Sequence, residues 1–358
     1  MAQKTSRRGF LIASSAVLAA PMISRGAAAQ LKPFKLAWIR QFAPAGMVQK
    51  AVDFARADGL TIEQVAFTRG LDGMVALQKG DAIACDCLVG YSQLCLAIAQ
   101  GIDLTALSGG ASGLNALIIS AKGLPKDQID EKNRAYIGPE PWKLLKGKTV
   151  GAPRGSQNEF LLRSYMTLHG LDYEKDIKFV DLKANADQVL ALQQGSIDVA
   201  ALIEPSATQA RMAGHGVLLA FPFGAGDFAR LNSGLYARTD ALKQYPEELQ
   251  RLVNAHVKAI KFYQANPAAW ATDTAKVTLF DTPTVTHLMD PKQLGLDPKY
   301  WANVELDFKL PVKDLQAYAK NLYASGFVNK DVSAEVPAHI DYTMLSKATG
   351  LSKSELGG

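Results

Sequence analysis

Short β-rich runs alternate with amphipathic helices along this chain, which predicts an α/β protein. The same strand and helix order then occurs a second time, which predicts two lobes, each a mostly parallel sheet flanked by helices. Length agrees: 358 residues, even less a cleavable leader, exceed what one hydrophobic core usually holds.

In the first series, Phe34–Ile39 reads as a strand and 45–57 as a helix with Val48, Val52 and Ala55 on one face. Leu60–Phe67 alternates as a strand, 71–79 is a helix stopped by Gly80, and Ala82–Cys85 is a buried strand. A helix over 91–100 and strands at Leu104–Leu107 and Ala116–Ile119 complete it. Residues 122–143 are polar and separate the series. The second runs through a strand at 148–152, a helix at 158–169, a strand at 177–181 and a helix at 186–194 stopped by Gly195. A strand at 199–203, a helix at 205–213 and a strand at 217–220 follow. The two series echo each other: Ala76-Leu77-Gln78-Lys79-Gly80-Asp81 matches Ala191-Leu192-Gln193-Gln194-Gly195, which Asp198 follows. Beyond Leu235–Ala237 the chain is mostly helical, with long amphipathic segments over 246–265 and 312–325. The expected boundaries are 30–120 plus 236–358 for the first lobe and 121–235 for the second.

Residues 1–29 have the three parts of an export signal: Arg7-Arg8, a short apolar core, and Ala27-Ala28-Ala29. The apolar run falls short of the about 20 residues that span a bilayer. Cleavage after Ala29 gives a mature chain from Gln30, expected to be soluble, periplasmic and monomeric. Lys4, Arg7, Arg8 and Arg25 account for four of the five excess positive charges, so the mature chain is nearly neutral. With no basic cluster interleaved with aromatics, nucleic acid is not an expected partner.

Ligands of open α/β sheets bind beyond the carboxyl ends of the strands. That rule selects Arg40, Gln41 and Phe42 after the first strand, and Asp86, Cys87, Tyr91 and Ser92 after the third. In the second lobe it selects Arg154, Gly155, Ser156 and Gln157, which open a helix, and Glu204, which ends a strand. Gly155 permits a tight turn, and a helix N-terminus at Ser156 favours an anion. Arg154 could add a bidentate contact. Trp38, Phe42 and Tyr91 could stack on a flat ligand. Cys85, Cys87 and Cys95 allow three readings: buried small hydrophobes, a soft-metal site, or a Cys87–Cys95 disulfide.

Two segments resemble a known family. Leu144–Ser156 (LLKGKTVGAPRGS) and Leu192–Pro205 (LQQGSIDVAALIEP) are similar in order and spacing to motifs of the nitrate/sulfonate/taurine solute-binding proteins of ABC importers. That family includes pyrimidine-precursor binders of thiamine supply. The resemblance implies a periplasmic-binding-protein fold of type II, with the ligand held between two hinged lobes near Gly155, Ser156, Glu204 and the loop after the first strand. Two positions depart from the pattern: Ile203 stands where family members often carry Trp, and Cys85-Asp86-Cys87 replaces a Gly-rich turn.

The expected function is capture of a small, anionic organic solute, such as a sulfonate, taurine, nitrate or an aromatic acid, and its delivery to a membrane permease, with no cofactor, no metal and no catalytic residue. Two alternatives remain at this stage: a sensor partner of a membrane kinase, and an enzyme like the pyrimidine-precursor synthases on the same fold.

Overall fold

A computed structural model describes residues 33–221, 233–289, 292, 294–301 and 304–358; the leader assigned to residues 1–29 lies outside them. The first series folds in the expected order as β1 (Phe34–Ile39), α1 (Ala45–Ala57), β2 (Ile62–Phe67), α2 (Gly70–Lys79), β3 (Ala84–Gly90), α3 (Tyr91–Ala99) and β4 (Leu104–Gly109). After the short β5 (Ala111–Ser112) come β6 (Asn115–Ile119), β7 (Ile129–Asp130) and β8 (Ala135–Tyr136). The second series is β9 (Lys148–Ala152), α4 (Gln157–Leu168), α5 (Tyr173–Asp176), β10 (Ile177–Asp181), α6 (Asn185–Gln194), β11 (Val199–Ile203), α7 (Ser206–Met212) and β12 (Val217–Ala220). Strand β13 (Ser233–Arg238) leads into α8 (Ala241–Gln244), α9 (Pro246–Ala265), α10 (Pro267–Val277), α11 (Thr282–Met289), β14 (Glu305–Leu306), α12 (Val312–Ala324) and α13 (Tyr342–Thr349).

The strands form two main sheets of mixed direction. The first has the order β2-β1-β3-β13-β4, with β13 alone antiparallel to its neighbours. The second has the order β10-β9-β11-β6-β12-β8-β7. The sequence places Ala116–Ile119 with the first series. Its hydrogen bonds run instead to β11 and β12, both antiparallel, so this strand belongs to the second sheet. The chain enters β6 from another sheet and stays in the second sheet for β7, and an apolar strand reads the same in either.

Alternation explains how the second sheet is covered on both faces. Leu117, Ile119, Val199, Ala201, Val217 and Leu219 join Leu162, Tyr165 and Met166 of α4 in one apolar cluster. Their neighbours Ala116, Ile118, Ala200, Leu202 and Leu218 join Leu192 of α6 and Ala207 and Ala210 of α7 in another.

Strand β3 corrects the sequence reading, which ended it at Cys85. All seven of its residues are buried, including Asp86. A carboxylate is tolerated there because it meets His256 of α9: Nδ1 lies 2.9 Å from the Asp86 Oδ2, and Nε2 lies 2.8 Å from the Gly109 carbonyl oxygen. Both partners accept, so the doubly protonated imidazolium satisfies both. Burial pulls the His256 pKa down, but the Asp86 charge, its hydrogen bond and the Gly109 carbonyl outweigh it and hold the ring above its ordinary value.

His256→Ala leaves the carboxylate buried without a counter-charge and is expected to cost about 3–5 kcal/mol in urea denaturation. Because the folded-state pKa is raised, the pair's contribution is fully present below about pH 6.5 and is lost as pH rises through the folded value. A stability that climbs with pH in that window, and does so less in His256→Gln, contradicts the assignment.

Candidate functional site

Four helices begin at one cavity. It measures about 70 Å³ and lies between the carboxyl ends of the strands of both sheets. Its wall includes Gly70 at the start of α2, Gly90 at the cap of α3, Ser156 and Gln157 at the start of α4, and Asn185 at the start of α6. The first N–H groups of a helix lack partners within it, and the helix dipole places partial positive charge there. Ile39, Phe42, Leu88 and Ile203 supply apolar surface. Among the described residues, Arg69 and Lys183 are the charged members of the wall, and no carboxylate lines it. The Arg69 guanidinium is held by both oxygens of Asp72, at 2.8 Å each.

The loop before α4 is built by local hydrogen bonds. Gly155 takes a left-handed φ of +69°, which costs an L side chain energy. Ser156 caps the helix: its Oγ accepts the Glu159 N–H at 3.3 Å, and its hydroxyl donates to the Pro153 carbonyl at 2.6 Å. Glu159 returns to accept the Gly155 N–H at 2.7 Å. Ser and Glu at this spacing act as a variant of the capping box.

The ten sequence candidates do not all meet. Phe42, Cys87, Ser156 and Gln157 line the cavity. Gln157 also links α4 to α3 and α12, since its Oε1 accepts from the hydroxyls of Ser92 and Tyr318, each at 2.7 Å. Ser92 is thus a fully buried support of the wall. Gly155 sits one residue outside the wall and sets the turn. Arg154 is exposed and its side chain is engaged elsewhere: it lies 4.6 Å over the Phe179 ring and 3.6 Å from Glu159 Oε1. Arg40 is exposed too, and its Nε donates to the Val277 carbonyl at 2.7 Å. Gln41 is half-buried beside it and does not line the cavity. Glu204 is fully buried behind the cavity, where its Oε2 accepts the Thr208 N–H at 2.9 Å. Burial pushes its carboxyl pKa up. The aromatic candidates Trp38 and Tyr91 are buried in the core and do not line the cavity.

Sequence reasoning missed Arg69, Lys183, Asn185 and Gln93. Their signal was positional: each stands at the carboxyl side of a strand, in the first turn of the next helix or just before it.

The three cysteines are buried free thiols, so the Cys87–Cys95 disulfide does not form. The metal reading gains no support, since the described residues offer no group of three or more Cys, His, Asp or Glu that could hold an ion. Cys87 has a left-handed φ of +50° next to a register shift between β3 and β13. Burial and the neighbouring Asp86 raise its thiol pKa well above the usual range.

Residues 27–279 match the family model described as the NMT1-like family. The chain belongs to that family. No curated protein matches it in sequence. Among solved structures it is similar to the alkanesulfonate-binding protein SsuA of Xanthomonas axonopodis pv. citri bound to MOPS, at 18% identity and a TM-score of 0.68, over 86% of this chain and 98% of that one. The periplasmic nitrate-binding protein NrtA of Synechocystis PCC 6803 is similar at 13% identity and a TM-score of 0.71, over 90% and 89%. The desulfurization enzyme DSZB is similar at 14% identity and a TM-score of 0.59, over 88% and 99%. These likenesses give the NMT1-like chain the periplasmic-binding-protein fold, a fold that here serves binding proteins and an enzyme alike.

Tyr318→Phe removes one of the two hydroxyls on Gln157 Oε1 and keeps the ring contact with Phe160, 4.9 Å between centroids. It is expected to lower stability by about 1 kcal/mol in urea denaturation. Gln157→Leu removes the acceptor of both hydroxyls and should cost more than Tyr318→Phe; equal costs contradict the bridging role.

Proposed function

We infer that this chain is the periplasmic solute-binding component of an importer, which captures a small organic anion and presents it to a membrane permease. The observation that carries the reading is the convergence of four helix N-termini on a cavity whose described wall residues include two cations and no carboxylate. Such a wall favours a sulfonate, carboxylate or nitrate over a neutral or cationic solute. The neighbours titled as sulfonate-binding and nitrate-binding proteins support the same solute class. Among the described residues no helix is long and apolar enough to cross a membrane, which accords with delivery to a separate permease. The leader at residues 1–29, with Arg7-Arg8, supports export in the folded state.

One observation favours an enzyme: a cysteine lines the cavity, and DSZB shares the fold. The chemistry weighs against it. A nucleophilic thiol needs a lowered pKa and a nearby base, whereas the Cys87 pKa is raised by burial and by Asp86. The one histidine near it in the core, His256, spends both ring nitrogens on Asp86 and Gly109.

Thermal unfolding of the mature protein with nitrate, short alkanesulfonates, taurine and aromatic carboxylates tests the reading. A solute of this class at about 100 times its Kd should add about 2.7 kcal/mol of stability and raise Tm. A shift confined to neutral or cationic solutes, or turnover of an added organosulfur compound that Cys87→Ser abolishes, overturns it.

A further inference from the structure

We propose that a buried water molecule binds between Glu204, Thr208 and Arg211 and joins two separated charges into one solvent-bridged ion pair behind the cavity. None of the three residues lines the cavity, so the site is independent of what the cavity holds.

Spacings of four and three residues set Glu204, Thr208 and Arg211 along one face of α7 and the turn ahead of it. All three are fully buried. Glu204 spends its Oε2 on the Thr208 N–H. Arg211 donates from Nε and Nη2 to the carbonyls of Arg134 and Asn133, and its guanidinium lies 3.8 Å over the Trp301 ring. One polar atom of each side chain is left over. Among the described residues, Glu204 Oε1, Thr208 Oγ and Arg211 Nη1 are buried without a hydrogen-bond partner. Thr208 Oγ stands close to the Glu204 carboxylate without completing a bond to it. Burial pulls the Arg211 pKa down to about 10, which leaves the guanidinium charged at neutral pH, and the Glu204 charge opposes that fall. The two charges therefore attract across a short gap without touching.

A buried polar group without a partner is costly, and buried polar atoms are bonded to protein or to ordered water in nearly every case. The leftover set is one acceptor, one donor and one hydroxyl that can act as either. A water molecule matches it: its oxygen accepts from Nη1, one hydrogen goes to Oε1, and the other goes to Thr208 Oγ. A buried water typically makes about three such bonds. A cation in the same place would be repelled by Arg211, and an anion by Glu204. The carboxylate and the guanidinium neutralise each other, so the occupant is neutral. The bridge also reaches the cavity wall. Glu204 follows Ile203 of the wall, and its carbonyl accepts the N–H of Ala43, next to Phe42 of the wall. Arg211 holds the loop between β7 and β8 and covers Trp301. The water thus links the apolar side of the wall to the segment around Trp301. It also compensates the Glu204 charge inside the protein, away from a solute.

A crystal structure of the mature wild-type protein, at a resolution that shows ordered solvent, tests the site directly. One water oxygen is expected about 2.7–3.2 Å from each of Oε1, Oγ and Nη1. Direct contact between Oε1 and Nη1, or no solvent density between them, overturns the proposal. Urea denaturation reads the coupling in solution. Arg211→Met should lower the unfolding midpoint less in a Glu204→Gln background than in wild type, because Glu204→Gln has already removed the charge that the loss of Arg211 would strand. Thr208→Val should shrink this difference, and Thr208→Ser, which keeps the hydroxyl, should restore it. Equal losses from Arg211→Met in the two backgrounds contradict the bridge, as does a Thr208→Ser protein that behaves like Thr208→Val. The crystal needs only wild type, so a variant that fails to fold leaves that test intact.

Discussion

A parallel strand must be followed by a connection that starts at its carboxyl end, and in this chain that connection is a helix almost every time. Two sheets whose strand ends face one gap therefore direct several helix N-termini into the same small volume. Part of the cost of holding so many partial positive charges together is offset by hydrogen bonds to the converging ends, such as Gly90 N–H to Gln93 Oε1 and Glu159 N–H to Ser156 Oγ. The site is thus a consequence of topology before any particular side chain is chosen. Side chains then tune it, with Ile39, Phe42, Leu88 and Ile203 adding apolar surface beside the polar ends.

Below the cavity, the Asp86–His256 pair ties β3, the end of β4 and the long helix α9 together in the core. It explains why β3 runs unbroken to Gly90 and delivers Cys87, Leu88 and Gly90 to the cavity wall. On the opposite side, Gln157 accepts from the hydroxyls of Ser92 of α3 and Tyr318 of α12, so the start of α4 is held against those two helices. The floor and the lateral support are both polar and buried, and each joins residues far apart in sequence.

Those distances mark what could be read from the sequence. Apolar periodicity, with Gly80 and Gly195 as stops, identifies α1, α2, α4, α6 and α9 within a residue or two of their ends, because helix burial is a local pattern. The loop at Pro153–Asn158 is legible for the same reason: its Ser and Glu cap lies within four residues. Charges were harder. Arg154, Arg40 and Asp86 looked available for a ligand, but Glu159, Val277 and His256 claim them, and the last partner lies 170 residues away. Arg69 and Lys183 were passed over because no motif surrounds them; only the repeat, laid over the strand order, puts them on one wall.

The central claim, that the converging helix starts bind an anion, is tested most directly by anomalous diffraction from crystals grown with bromide in place of other halides. The account predicts a bromide peak inside the cavity, within reach of the first residues of α2, α4 and α6 and between Arg69 and Lys183. Ordered bromide confined to the outer surface, with the cavity holding none at any concentration the crystals tolerate, would contradict it.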